Sequence, residues 1–412
     1  MRALWLCNLV IPDFAEEYEI KKNVFGGWIS GMLHEIDRNG EAEIAFVFPI
    51  RDLKRLKDGC RKGYKYYSFH NRSEQEVMKH HIQRFKDIIC DYKPDVIQIW
   101  GSEYPWCYEM VEASRELGLI GKVVIYIQGL VSVYLKHYLS GIPNEYMTVA
   151  DIYGNTIEKD VQRLSLQAEN EVKAFRNSKY VMGRTEWDRG CSFAINSQLI
   201  YHHCAEVLRD EFYNNIGSWN IDLCEPHSIF VSQASYPIKG FHYLLKALPI
   251  VLERYPDTKV YVGGADIIHG SDATAYGIYL RNLMEENGVG NAVFFMGQLN
   301  VLQMIERYIK ANVYVSASSI ENSSNSICEA MLIGVPTVAS FVGGVPGIIE
   351  HHINGLLYPE TETDMLAYYI IECFEHKDLC SELSRQSVSF AREFNSKDRA
   401  VSELVAAYRS IV

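Results

Sequence analysis

Short uninterrupted apolar runs alternate with longer amphipathic segments along almost all of this 412-residue sequence, and that alternation leaves few folds open. The runs at 3–10, 42–48, 96–100, 123–127, 180–183 and 198–201 lack the apolar–polar alternation of a half-exposed strand. Strands of that kind belong in parallel sheets covered on both faces by helices. Helical patterns at 74–91, 108–117 and 155–177 supply the cover. After a non-periodic stretch, IGSWNIDLCEPH at 216–227, the alternation resumes. Strands are expected at 228–233, 259–262, 292–295, 313–317 and 337–340, with helices at 241–254, 278–287, 302–310 and 326–333. The expected fold is α/β, with two Rossmann-like, doubly wound domains at 1–216 and 217–394 and a last helix at 395–412. Roughly 150 residues per domain agrees with two large domains. Ligands of such sheets sit beyond the carboxyl ends of the strands.

Charge narrows the partners. Forty Lys and Arg against 52 Asp and Glu give 40 − 52 = −12, which disfavours a general nucleic-acid binder. An anionic ligand must therefore meet a local positive site. The ten cysteines include no C-x-x-C pair and are expected to be buried, reduced thiols, Cys90 and Cys328 among them. The start, MRALWLCNLVIPDF, reads as a buried first strand rather than a secretion signal, because Asp13, Glu16 and Glu17 follow at once. No stretch approaches the roughly 20 apolar residues that span a bilayer. A soluble, cytoplasmic protein is expected. The pairs His80-His81, His202-His203 and His351-His352 lack metal-site spacing, so no metal is expected. No G-x-G-x-x-G follows the first strand, which disfavours a dinucleotide.

The most informative stretch is 315–355, VSASSIENSSNSICEAMLIGVPTVASFVGGVPGIIEHHING. It reads as a strand, a polar loop, a short helix capped near Ser324 or Asn325, and a second strand after Gly334. Glu321 falls in the loop and Glu329 about one turn into the helix, with seven residues between them. Backbone N–H groups at such a helix start make a site for a diphosphate. A carboxylate one turn further can accept from a diol such as a ribose, and one before the cap can reach sugar hydroxyls.

These residues resemble the E-x7-E region of retaining family-4 glycosyltransferases with the GT-B fold, two Rossmann-like domains facing across a donor cleft with the C-terminal helix crossing back to the first. Gly26-Gly27, Lys239-Gly240, Met296-Gly297 and the Gly343-Gly344-Val345-Pro346 loop fall in the order that family shows. The resemblance implies that Glu321 holds donor-sugar hydroxyls, Glu329 the ribose and Lys239 the diphosphate. It further implies a phosphate cradle from the backbone of Asn325, Ser326 and Ile327, with Gly26 and Gly27 approaching the donor. It implies no cofactor beyond the nucleotide-sugar co-substrate. It implies that the domain at 1–216 binds the acceptor and the domain at 217–394 the nucleotide-sugar, and that the acceptor is a hydroxyl, such as that of a lipid-linked glycan in surface-polysaccharide or glycolipid assembly. A nucleotide-sugar epimerase or hydrolase on the same fold, or a non-catalytic sugar-nucleotide-binding partner of another transferase, is the alternative. The sequence departs from the family at two places. Ala234 stands where an Arg is usual, with Arg184 or the hydroxyls of Ser232 and Ser235 as candidate compensation. Gln128 and Gly129 stand where many relatives have a His, leaving Glu103 as the acid/base candidate.

Residues 51–72 hold eight Lys or Arg against two acids, a local +6, interleaved with Tyr64, Tyr66, Tyr67 and Phe69. Two readings stand. One is a solvated loop and strand with the aromatics facing the core. The other is a patch, with Arg61, Lys62 and Lys65 at its centre, that docks the enzyme peripherally on an anionic membrane beside the acceptor.

Overall fold

The computed structural model describes residues 1–19, 26–71, 75–269 and 273–412. Arg72 of the basic stretch and Glu74, the expected start of one helix, lie outside the described residues. The chain divides into two compact units: Met1–Val133, Ser165–Arg209 and Asn395–Val412 form the first, and Tyr134–Leu164 with Asp210–Phe394 the second.

The first unit is built on an eight-stranded sheet. Its strands are β1 (Arg2–Cys7), β2 (Glu43–Ile50), β3 (Gly59–Arg61), β4 (Tyr64–His70), β5 (Val96–Trp100), β6 (Val123–Tyr126), β7 (Tyr180–Gly183) and β8 (Ile200–His203), in the order β3-β4-β2-β1-β5-β6-β7-β8. All neighbours are parallel except β3 and β4. Ala3 of β1 pairs with Ile44 on one side and Val96 on the other. The chain therefore winds away from β1 in both directions, and the β1–β5 boundary is the topological switch. Successive side chains of β1 enter opposite layers, as a strand's period of two requires. Leu4 and Leu6 join Ile97, Ile99, Phe85 and Ile88 in one core. Trp5 lies with its ring centroid 5.0 Å from that of Trp100, and its indole N–H donates to the Tyr408 hydroxyl at 2.9 Å. That bond ties the last helix, Lys397–Ile411, into this unit.

The second unit has six parallel strands: β9 (Ser228–Val231), β10 (Lys259–Val262), β11 (Val293–Phe295), β12 (Val313–Ser316), β13 (Thr337–Ser340) and β14 (Leu356–Tyr358), ordered β11-β10-β9-β12-β13-β14. Here the switch lies between β9 and β12. Helices Phe241–Arg254, Val301–Lys310 and Asn325–Ile333 follow the expected pattern, and Thr363–Glu375 and Lys377–Phe394 were not anticipated.

The domain boundary expected at residue 216 needs correction. The non-periodic stretch is no free linker: Gly217 N donates to Leu332 O at 2.9 Å, and the Trp219 indole N–H to Ala311 O at 2.7 Å. The second unit therefore begins at Asp210, before that stretch. Residues 134–164, expected in the first domain, pack with the second unit through tyrosine hydroxyls. The Tyr279 hydroxyl donates to Gly141 O at 3.2 Å, and Ser140 Oγ and Tyr243 OH lie 2.8 Å apart. Polar bonds of this kind leave no apolar periodicity in the sequence. All ten cysteines are free, but the expectation that they are buried is corrected at Cys60 and Cys90, which are exposed, and at Cys191 and Cys224, which are partly exposed.

Candidate functional site

Three loops at the carboxyl ends of β9, β12 and β13 interlock in the second unit. Ser319 N donates to Ile238 O at 2.7 Å, joining the loop after β12 to the one after β9. Gly344 N donates to Glu321 O at 3.0 Å, joining it to the loop after β13. The result fixes Lys239 opposite Glu321. The Lys239 ammonium donates to Glu321 Oε1 at 2.6 Å, and Ser318 Oγ donates to the same oxygen at 2.8 Å. The two charged side chains are only 19% and 11% exposed, so water screens the pair weakly. Burial on its own would lower the lysine's pKa, but the Glu321 carboxylate and the Tyr236 phenol outweigh it. The ammonium is held well above the usual lysine range and stays charged.

The pair opens on a small polar hollow also lined by Ser232, Ser318, Ser324 and Ser326. Ser324 caps helix Asn325–Ile333 by position but makes no side-chain capping bond, and the first turn holds no acidic residue. An anion there would compete neither with a Ser324 capping bond nor with an acidic side chain of the first turn. Asn325 and Ser326 are partly exposed there, whereas the Ile327 side chain is fully buried, so Ile327 has only its backbone to offer. Glu329 is buried one turn further along and is not part of the hollow's lining. Of the two serines near Ala234, Ser232 lines the hollow, its Oγ 3.0 Å from the Tyr314 hydroxyl, and Ser235 does not. Sequence reasoning missed Ser318. The only signal was its place three residues before Glu321, the span of a tight polar turn.

The remaining sequence-derived candidates lie in the first unit. Glu103 follows β5 and is partly buried, accepting from the Asn8 side-chain amide and from Gly129 N, each at 3.2 Å. Burial, with a smaller push from the Glu171 carboxylate, lifts its pKa to about 7 despite the Gly129 bond and the nearby Arg184 guanidinium. A carboxyl titrating there can give and take a proton near neutral pH. It also makes stability depend on pH. The folded carboxyl binds its proton more tightly than an unfolded one at about 4.3, so stability falls as pH rises from about 4 to 7 and then levels. Glu103→Gln should remove about 2–3 kcal/mol of that fall. Urea midpoints of both proteins at pH 5 and pH 7.5 check it, and parallel behaviour would refute it.

Arg184 is committed elsewhere: it is buried in an ion pair with Glu206 and donates to Gln128 O at 3.0 Å. Nothing in its surroundings marks it as a free phosphate ligand. Gly26 precedes helix Gly27–Asn39 with a left-handed φ of 82°, and Gly27 packs against the Arg209 side chain. His81 is buried against Glu109 at 2.7 Å, and His351 accepts from Leu357 N at 3.0 Å, so these histidines have structural partners.

The geometry supports the core-facing reading of the aromatics in the basic stretch. Tyr66, Tyr67 and Phe69 are buried in β4, not placed at a surface. Arg61 pairs with Glu16 and Glu17 at 2.9 Å, and Lys65 with Asp91 at 2.6 Å. Lys62 alone of the three is exposed, in a left-handed turn. The local +6 counted along the chain is offset by acids brought in from other segments. Among the described residues no helix is long and apolar enough to cross a membrane.

Residues 214–389 match the family model described as glycosyl transferases group 1. An uncharacterized glycosyltransferase of Methanocaldococcus jannaschii is 28% identical over 298 residues, 72% of this chain and 67% of the relative. Further curated relatives are matched over less than half their length. Sucrose-phosphate synthase from Thermosynechococcus elongatus superposes over 100% of this chain and 99% of its own, with a TM-score of 0.70 at 15% identity. Anabaena HepE in complex with UDP-glucose covers 100% of both chains with a TM-score of 0.66 at 17% identity. At such identities the likeness is one of fold. Residues 214–389 are thus similar to the glycosyl transferases group 1 family, in a chain of two Rossmann-like units with the GT-B fold.

Proposed function

We propose that this chain is a retaining glycosyltransferase that moves a sugar from a nucleotide-sugar donor to a hydroxyl acceptor. One observation carries the reading: a charged lysine held 2.6 Å from a carboxylate, in a hollow that opens at an uncapped helix start. The donor's diphosphate takes the first-turn N–H groups and Lys239, and Glu321 orients hydroxyls of the transferred sugar. Glu329, by the resemblance to the family, takes the ribose. As the sugar–phosphate bond breaks, charge grows on the leaving oxygen, where a fixed ammonium and helix N-terminus stabilise it without reorganising. The acceptor oxygen bonds to the sugar carbon on the face being vacated, and its proton passes to the leaving phosphate oxygen. Positioning and electrostatics suffice for this chemistry.

UDP-glucose is the first donor to test, since HepE, a neighbour of the same fold, is in complex with it. The purified protein should release nucleoside diphosphate from one member of a nucleotide-sugar panel only when an acceptor is present. Lipid-linked glycans enter the acceptor panel on the family resemblance alone. NMR of the product should show the donor's anomeric configuration kept. Inverted product would reject retention, and acceptor-independent release would make the protein a hydrolase.

A further inference from the structure

One buried hydroxyl of the second unit has no part in the donor chemistry. It belongs to Tyr243, in the first turn of helix Phe241–Arg254 and four residues after Lys239. The Tyr243 N–H donates to Gly240 O at 2.8 Å, and its ring packs on Gly240, where a Cβ would lie 3.2 Å from ring carbon Cδ2. At its far end the same ring meets Gly141, where a Cβ would lie 2.8 Å from the phenol oxygen. One side chain is thus wedged between the turn that carries Lys239 and the segment Tyr134–Leu164.

The hydroxyl ties together what the ring separates. Ser140 Oγ lies 2.8 Å from it, and it donates to Glu360 Oε1 at 3.3 Å. A carboxylate only accepts, so the phenol gives its proton to Glu360 and accepts from Ser140. Glu360 lies in the loop after β14, and Ser140 in the segment 134–164. The segment's other anchor nearby is polar as well, a bond from the Tyr279 hydroxyl to Gly141 O at 3.2 Å. A phenylalanine would fill the space of the ring, so what the hydroxyl adds is the tie. The segment also reaches the donor site. Burial lowers the Lys239 pKa, and the groups that raise it are the Glu321 carboxylate and then the Tyr236 and Tyr134 phenols.

We infer that Tyr243 is a positioning residue for sugar transfer: its ring sets the Lys239 turn, and its hydroxyl holds the segment Tyr134–Leu164 beside the donor site. The inference rests on the transferase reading. A diphosphate gripped by Lys239 and the first-turn N–H groups needs only the ring. The transferred sugar needs the segment as well, because loosening a wall beside a reacting group costs orientation.

The test compares two single variants and their double in the full chain. Tyr243→Phe keeps the ring and loses the tie. Gly141→Ala pushes the segment off the phenol, with the added strain of a left-handed φ of 71°. Each should bind bare UDP within about twofold of wild type by calorimetric titration, while kcat with the active donor falls about fivefold or more at a nearly unchanged KM. The double variant should lose little more than the worse single one, since both break one contact. Wild-type kcat in Tyr243→Phe, fully additive losses, or an equal loss of UDP affinity and kcat would overturn the inference. Amide exchange reads the tie without turnover: the Ser140 and Ile142 N–H groups, bonded to His137 O and Leu139 O at 3.1 Å, should exchange faster in Tyr243→Phe. Faster exchange in a protein that turns over no nucleotide-sugar would keep the tie and remove the transferase. Turnover with unchanged exchange would keep the transferase and remove the tie.

Discussion

Alanine at Lys239 should weaken binding of bare UDP by about 10–100-fold, whereas alanine at Glu321 should leave it unchanged or tighten it. The opposite signs follow from the pair itself. A charge-assisted bond to phosphate is worth about 1.5–3 kcal/mol, and among the described residues Lys239 is the one cation lining the hollow. Without donor that cation is neutralised by Glu321 at 2.6 Å. Removing the carboxylate leaves the ammonium facing the hollow with its full charge, so an entering diphosphate has no competitor. The folded protein becomes less stable, by up to about 3–5 kcal/mol for a fully buried pair and less here, where both side chains keep some water. Turnover should nevertheless fall at least ~100-fold in Glu321→Ala, because the sugar loses the group that orients it. Calorimetric titration with UDP and initial rates with the active donor separate the two effects. A rate within a factor of two of wild type would remove Glu321 from its role, and equal weakening of UDP by both substitutions would show that Glu321 acts only by placing Lys239.

The sequence announced some parts of this site and hid others, for physical reasons. β1, β5, β6, β9 and β12 were readable because strands buried on both faces leave uninterrupted apolar runs. Glu321 and the start of helix Asn325–Ile333 were readable because their spacing is short-range, whereas Lys239, 82 positions from Glu321, entered only through the family resemblance. β4 was obscured because YKYYSFH carries its burial in aromatic rings with polar tips and a lysine, so it looked like a surface patch. The ion pairs of Arg61 and Lys65 reach Glu16, Glu17 and Asp91, 26 to 45 positions away, and a charge count along the chain cannot see them. WGSEYPW drew attention for Glu103, whose partners Asn8 and Gly129 arrive from other segments.

Alanine at Gly343 should disable the enzyme more than it unfolds it, and alanine at Gly240 should do both. Each glycine has a left-handed backbone, with φ of 52° and 62°. Any other residue there pays about 1–2 kcal/mol before it touches anything. The contacts are worse than the backbone. A Cβ on Gly343 would lie 1.9 Å from Glu321 O, and one on Gly240 would lie 1.8 Å from Ala317 O. Neither neighbour is a side chain that can swing aside, so backbone must move. At Gly343 the segment that moves is the one carrying Glu321, and a displacement of about 1 Å at a reacting group costs on the order of 100-fold in rate. At Gly240 the displaced segments are the Lys239 turn and the end of β12, which belong to the core of the sheet. Gly347 is the control: it lies in the same loop, has no left-handed backbone, and a Cβ there meets nothing within 4 Å. Gly347→Ala should keep wild-type turnover and stability. Gly343→Ala should keep most of its thermal midpoint and UDP affinity while losing at least about tenfold in kcat. Gly240→Ala should lower the midpoint by several degrees and weaken UDP as well. If Gly343→Ala turned over like Gly347→Ala, the loop after β13 would not be what holds Glu321 in place.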